Sequence, residues 1–423
     1  MSNFPELPSI VSDIDYKYAN IEFSEFKSMV YEGGKIHISH IDDSILDRIN
    51  EELNHIEKSG LKDYFLLWKS IIDFCKSNQI CVGPGRGVIN SSLVAKCLGL
   101  TQVNALVRGL PYQRFFNPRA GFLPSFSLDV SFDNRERVIQ YLKDLFGEAH
   151  IGVLAGSNDD ESDTSDATMY FSPAGSGVVI SDKALEPTAP TLEIECNSDN
   201  LVVDFPVKYL QSLGYFKFDI FGLKQLDHLQ DIYSKNKVQI YPETWDDPKV
   251  FEYILSENSS EIFPFHKDNM REIMFEFDTN TLESLALAYA LSRPSLMEYV
   301  DGIKSIHLKE KEARFLHESL YEPLESTYGY IVYKEQFLEI IVKMSGLGYD
   351  FADMMYRYLL EDDPQKHTMQ FIEQCKSRGI QDTIIQQVMS ELISSQPFLF
   401  SKAHALGVVM MGYTDVWHKI YTK

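Results

Sequence analysis

The segment Gly83-Pro-Gly-Arg-Gly87 constrains the fold most. Three glycines and a proline within five residues can continue neither a strand nor a helix, so the chain must turn there. Apolar Ile80-Cys81-Val82 precedes the turn as a strand, and Asn90 to Cys97 follows it with a helical pattern. Strand, glycine turn and helix in succession predict alternating α/β architecture. Asp129-Val130 lies on another strand, leading into a helix over 135–146, and further strands are predicted at 177–180, 201–205 and 216–220. Upstream, Leu46, Ile49, Leu53 and Ile56, then Tyr64, Leu67, Trp68, Ile71 and Ile72, recur at intervals of three and four and predict two helices. The aromatic alternation from Tyr31 to Ile41 predicts a short hairpin through Gly33-Gly34. From about residue 246 the pattern is mostly helical, with amphipathic stretches near 283–292, 334–346, 350–360, 366–377 and 382–394.

Charge narrows the class of function. The chain carries 62 acidic against 39 basic residues, a formal net charge of −23. Proteins that grip duplex DNA neutralise phosphates with clustered Lys and Arg, so weak or absent DNA binding by the isolated chain is expected. Five cysteines without a CxxC pair argue against a disulfide framework or a structural zinc. The opening residues do not read as a secretion leader and no long apolar run occurs, so a bacterial cytoplasmic protein with no membrane contact is expected. Residues 157–169, rich in Ser and Asp, read as a flexible connector.

Gly83, Gly85 and Gly87 with Arg86 would let backbone amides and a guanidinium approach an anion such as phosphate; equally, they could close a tight turn that binds nothing. No Lys-Ser or Lys-Thr follows, so this is not a Walker A loop. His37 and His40 have no third ligand nearby in sequence, and no GxSxG or HExxH occurs.

Read together, Asp63-Tyr-Phe-Leu66, Asp73-Phe-Cys-Lys-Ser-Asn78, Val82-Gly-Pro-Gly-Arg-Gly87, Gln113-Arg-Phe-Phe-Asn-Pro118, Lys217-Phe-Asp-Ile-Phe-Gly-Leu223, Tyr328-Gly-Tyr-Ile-Val-Tyr-Lys-Glu-Gln336 and Ser401-Lys-Ala-His404 resemble, in order, the alpha subunit of bacterial DNA polymerase III, the C-family replicative polymerases. The resemblance runs from about Leu46 to the end of the chain. It implies an α/β nucleotidyltransferase-type palm with a mixed sheet, followed by a mostly helical fingers domain. The expected division is an opening segment of unknown role at 1–45, palm at 46–155 and 173–235, an acidic linker at 156–172 where the family carries its thumb, and fingers at 236–423. The family's phosphoesterase-like, exonuclease and C-terminal modules are not matched.

The family's palm places two aspartates at alternate positions of one strand and a third on a neighbouring strand, where they bind two Mg²⁺ ions. The corresponding stretch here is Pro124-Ser-Phe-Ser-Leu-Asp-Val130. The resemblance therefore puts Ser125 and Ser127 at two catalytic positions. Asp219 matches the third carboxylate, and Asp129 an additional aspartate on the same face. Asp129 and Asp219 are the candidate metal ligands, with Asp133 a lesser one. For the nucleotide, the resemblance points to Gly85, Arg86, Gly87, Arg357, Lys402 and His404. Tyr356 replaces one of two family arginines, and Glu361, Asp362 and Asp363 stand where lysines belong. A neutral hydroxyl is a weak Mg²⁺ ligand, and acidic groups repel a triphosphate. The expectation is an inactive polymerase-like protein without a resident cofactor, using Mg²⁺ only if activity remains, and acting with a protein partner in replication, repair or mobile-element processes. Two alternatives stay open: an active minimal DNA polymerase with a rearranged metal site, and a nucleotide-binding sensor.

Overall fold

The computed structural model of the chain describes residues 16–121, 123–155, 174–185, 191–192, 200–203, 210, 215–236, 241–359 and 365–422. It divides into two compact units, one built from 1–104 and 121–241, the other from 105–120 and 242–423. The linker at 156–172 and the acidic residues 361–363 lie outside the described residues.

The first unit holds a six-stranded mixed sheet of β1 (Ser127–Ser131), β2 (Ile151–Ala155), β3 (Ala174–Ser181), β4 (Thr191–Leu192), β5 (Leu201–Val203) and β6 (Tyr215–Leu223), in the order β1-β6-β3-β2-β5-β4. β1 runs parallel to β6, and β6 antiparallel to β3. Strand alternation sorts β1 and β6 onto two faces. Phe126, Leu128 and Val130 with Phe216, Phe218 and Ile220 are buried on one face. Helices α1 (Phe23–His37), α2 (Asp43–Lys58), α3 (Lys62–Ser77), α4 (Leu93–Cys97), α5 (Arg135–Phe146) and α6 (Lys224–Asn236) complete the unit. The apolar stripe of α3 supplies the partner for that face: Trp68 stacks on Phe126 at 4.9 Å between centroids and meets Phe218 edge-on at 5.1 Å. Each large side chain so buried contributes about 1.5–3 kcal/mol.

Three local expectations are corrected. The Gly33-Gly34 pair lies inside α1, not in a hairpin, because the helix passes so close to α4 that a Cβ on Gly33 would stand 2.0 Å from the Cys97 carbonyl oxygen. The strand before the glycine turn is reduced to a single antiparallel bridge, Val82 to Val130. The helix after the turn begins later: Gly87–Ser91 form a 3₁₀ turn, and α4 starts after Ser92, whose hydroxyl accepts from the Ala95 amide at 3.0 Å.

The second unit is helical, with α7 (Pro248–Ile254), α8 (Asp268–Glu276), α9 (Leu282–Leu291), α10 (Val300–His307), α11 (Lys334–Ser345), α12 (Tyr349–Tyr358), α13 (Gln365–Ser377), α14 (Asp382–Ser395) and α15 (Lys402–Tyr421). Phe337, Ile341 and Met344 of α11 share a core with Phe351, Met355, Phe371, Ile385 and Leu392. Residues 105–120 pack with this unit although their sequence neighbours belong to the other. Polar anchoring accounts for it: Asn117 Nδ2 donates to the Asp350 carbonyl at 2.8 Å and to Asp353 Oδ2 at 3.0 Å.

Candidate functional site

The polar face of β1 and β6 carries Ser127, Asp129, Lys217, Asp219 and Phe221, and Ser125 lies two residues before Ser127, ahead of β1. Ser127 stands directly beside Asp219 in the parallel register, and Asp129 beside Phe221. The Tyr64 hydroxyl donates to the Pro124 carbonyl at 2.5 Å and so fixes the approach to this strand. Ser125 is exposed and Ser127 partly so, whereas Asp129 and Asp219 are buried. Neither aspartate presents an open carboxylate. Asp219 accepts from Ser176 Oγ at 3.1 Å on one oxygen and from Lys217 Nζ at 2.8 Å on the other. Asp129 accepts from Arg86 Nη1 at 3.3 Å, while the Arg86 guanidinium lies over the Phe221 ring at 3.8 Å. Burial pushes the Asp129 carboxyl up from its ordinary range, and the Arg86 charge opposes that shift. Asp133 is exposed and pairs with Lys224 at 3.2 Å.

The glycine turn is shaped from within. A Cβ on Gly85, at φ +131°, would stand 2.1 Å from Asn90 Oδ1 and 2.4 Å from Thr101 Oγ1; Gly87 has φ +70°. The Thr101 hydroxyl donates to Asn90 Oδ1 at 2.6 Å beneath the turn. Gly83 abuts Asp129, which a Cβ would approach to 2.7 Å. The amides at the start of α4 already hold an anion of the chain itself. Glu52, fully buried, accepts from the Leu93 and Val94 amides at 3.1 and 3.0 Å and from Ser92 Oγ at 2.7 Å, with Arg48 at 2.8 Å as its counterion.

The same device recurs in the second unit. Lys402 and His404 sit in the first turn of α15, whose amides are taken by buried Glu335: Lys402 N donates at 2.8 Å and Ala403 N at 3.2 Å. His404 is buried, its ring 5.7 Å from that of Phe400. Arg357 Nε donates to Asp353 Oδ2 at 2.7 Å, and Arg114 Nη1 to Asp353 Oδ1 at 3.1 Å, with the Arg114 guanidinium 4.9 Å from the Tyr356 ring centroid. Asp353 is thus a 0% exposed hub for two arginines and Asn117. Asp353→Ala leaves the buried Arg114 charge uncompensated and is expected to cost about 3–5 kcal/mol. Urea denaturation checks this, and a loss under about 1 kcal/mol would show that solvent replaces the carboxylate.

One turn beyond Glu335, Glu339 is pushed up to about 7, first by burial and then by the charges of Glu335 and Glu322, with Lys402 and Lys343 opposing. A carboxyl raised in the fold favours folding while protonated. That contribution is present in full below the unfolded value near 4.3 and is lost as pH rises through about 7. Glu339→Gln is expected to flatten the fall in stability between about pH 4.5 and 7.5, measured by denaturation at each pH.

The first unit therefore gathers Ser125, Ser127, Asp129, Asp219, Arg86 and the glycine turn, and the second holds Arg357, Lys402 and His404. That Lys217, Glu52, Asp353 and Glu335 would be the internal partners at these places was not legible in the sequence, although Lys217 and Glu335 lie in segments that carry the resemblance. The donor set does not fit a two-metal centre: two neutral hydroxyls stand beside carboxylates already paired to internal cations. Among the described residues no group of three or more His, Cys, Asp or Glu is placed to hold a metal ion.

The fold and this face define a polymerase-type α/β palm with a helical fingers unit. Residues 24–158 match the bacterial DNA polymerase III alpha NTPase domain, and residues 222–379 the bacterial DNA polymerase III alpha subunit finger domain. DNA polymerase III subunit alpha of Staphylococcus aureus (strain COL) is 25% identical over 90% of this chain, and that of Staphylococcus epidermidis (strain ATCC 35984) 24% identical over 90%. The chain spans 42% of the length of each of these relatives. It belongs to the family of bacterial DNA polymerase III alpha subunits, as a partial member covering palm and fingers.

Proposed function

We propose that this chain is a pseudo-polymerase, a palm-and-fingers module that does not transfer nucleotides and serves as a binding or scaffold partner in replication, repair or mobile-element processes. The observation that carries the reading is the β1/β6 face, where Ser125 and Ser127 replace the expected carboxylates and Asp219 and Asp129 are paired to Lys217 and Arg86. With two hydroxyls and two internally paired carboxylates as the donors, the two-metal chemistry that activates a primer 3′-hydroxyl and stabilises the leaving pyrophosphate has no support. Arg86 and Arg357, the cations expected on a triphosphate, are engaged by Asp129 and Asp353, which also argues against a nucleotide sensor.

A net charge of −23 favours a basic protein partner over nucleic acid. Among the described residues no helix is long and apolar enough to cross a membrane. A cytoplasmic site of action and the absence of a resident cofactor are parts of the same proposal. Primer extension with Mg²⁺ or Mn²⁺, comparing wild type with Asp219→Ala, tests it. Extension by wild type that vanishes in the variant would instead establish a minimal polymerase with a rearranged metal site.

A further inference from the structure

In a strongly acidic chain, one place in the first unit concentrates cations. Gly99 follows α4, and the point where its Cβ would stand is 3.2 Å from Lys76 Nζ and 3.3 Å from His37 Nε2. The two nitrogens therefore lie within about 6.5 Å of each other, close enough for one anion oxygen to bridge them. His37 comes from the last turn of α1 and Lys76 from the last turn of α3, so three separate elements converge here. Lys96 of α4, almost wholly buried, is held by the Gln102 carbonyl at 2.9 Å. Lys69 lies nearby, but Asp73 answers it at 2.5 Å and also takes Lys17 at 3.0 Å.

The charges acting on His37 are all positive. Burial, then Lys76, Lys96 and Lys69, push its imidazole down to about 4. Burial likewise takes the Lys96 amine down to about 8, and burial with Lys69 lowers that of Lys76, where Asp73 is the one opposing charge. The lysine charges, crowded and partly desolvated in this way, repel one another; an anion among them converts repulsion into charge-assisted hydrogen bonds, with the His37 imidazole as a further hydrogen-bonding group. The left-handed φ of +75° explains why residue 99 is glycine. The convergence of the Lys76 and His37 side chains on Gly99 is a separate fact.

We infer that the notch at Gly99, between the Lys76 ammonium and the His37 imidazole with Lys96 behind them, binds a phosphate group, free or carried in a phosphodiester. This site is distinct from the β1/β6 face and does not depend on whether that face is catalytic.

The test uses the full chain with inorganic phosphate at constant ionic strength, read by thermal unfolding. Wild type should gain stability with millimolar phosphate, and Lys76→Gln should lose most of that gain. Lys76 is exposed as a residue, only its amine being partly desolvated, so this variant should fold. Lys35→Gln, which removes an exposed lysine of the same last turn of α1 that is paired with Glu32, should respond as wild type does. Phosphate should also move the His37 ring resonance and raise its titration midpoint in wild type but not in Lys76→Gln. Anisotropy of a labelled single-stranded oligonucleotide separates the sources: binding weakened by Lys76→Gln and displaced by phosphate marks a phosphodiester, and a phosphate response without oligonucleotide binding marks the free ion. An equal phosphate response in wild type and Lys76→Gln, or none in wild type, overturns the inference.

Discussion

Wild-type protein incubated with primed template, the four deoxynucleoside triphosphates and Mg²⁺ or Mn²⁺ is expected to leave the primer unextended, at a rate about 10⁴-fold or more below that of a family member with an intact carboxylate cluster. The size follows from the terms removed. Electrostatic groups aimed at a transition state are worth about 10²–10³ each, and two are absent at Ser125 and Ser127. Asp219 and Asp129 cannot make up the loss, since Lys217 Nζ at 2.8 Å and Arg86 Nη1 at 3.3 Å already neutralise them. A divalent ion at Asp219 must first displace the ammonium, and it gains only one further carboxylate, which is itself buried against a guanidinium. Asp219→Ala should therefore match wild type at the detection limit. If wild type extends the primer and Asp219→Ala does not, the internal pairs are not obstacles and the pseudo-polymerase reading fails.

Much of the fold was legible because its elements carry strong periodicity. The helices read at 334–346, 366–377 and 382–394 lie at Lys334–Ser345, Gln365–Ser377 and Asp382–Ser395, and the strand at 216–220 lies within Tyr215–Leu223. Glycine misled where it served packing. Gly33-Gly34 resembles a turn pair, yet it lets α1 approach Cys97, a contact with a residue more than sixty positions away. Residues 105–120 illustrate the same limit, since neighbours in sequence do not reveal that Asn117 and Arg114 are drawn to Asp353 in the second unit. In the palm, alternation alone places Ser125, Ser127 and Asp129 on one face, and the resemblance adds Asp219. What remained hidden was occupancy. Nothing local marks Glu52 or Glu335 as the anion that fills a helix N-terminus, or Lys217 as the cation on Asp219, because each role is fixed by its partner's position in the fold.

Ser125→Asp/Ser127→Asp is expected to make the stability of the palm depend on divalent metal, a dependence not expected of wild type. Ser127 is level with Asp219 across the parallel pair, Asp129 follows it on the same face, and Ser125 precedes it by two residues, just ahead of β1. Two added carboxylates would create a cluster of four with only Lys217 and Arg86 to answer it. Like charges about 5 Å apart repel by roughly 3 kcal/mol at an effective dielectric near 20, less for the exposed position 125. In EDTA the double variant should therefore melt below wild type. Mg²⁺ or Mn²⁺ at about 100 times its dissociation constant should return about 2.7 kcal/mol, as for any ligand that binds only the folded state. Wild type should show no such gain. Thermal unfolding in EDTA and across a Mn²⁺ titration measures both effects. A double variant that melts with wild type and ignores metal would mean that the two positions do not converge on Asp219, and would remove the geometric basis for calling Ser125 and Ser127 lost metal ligands. Metal-dependent recovery without primer extension would show instead that the palm keeps the geometry of a metal centre, and that other departures, beginning with Tyr356 where the family carries an arginine, separate this chain from catalysis.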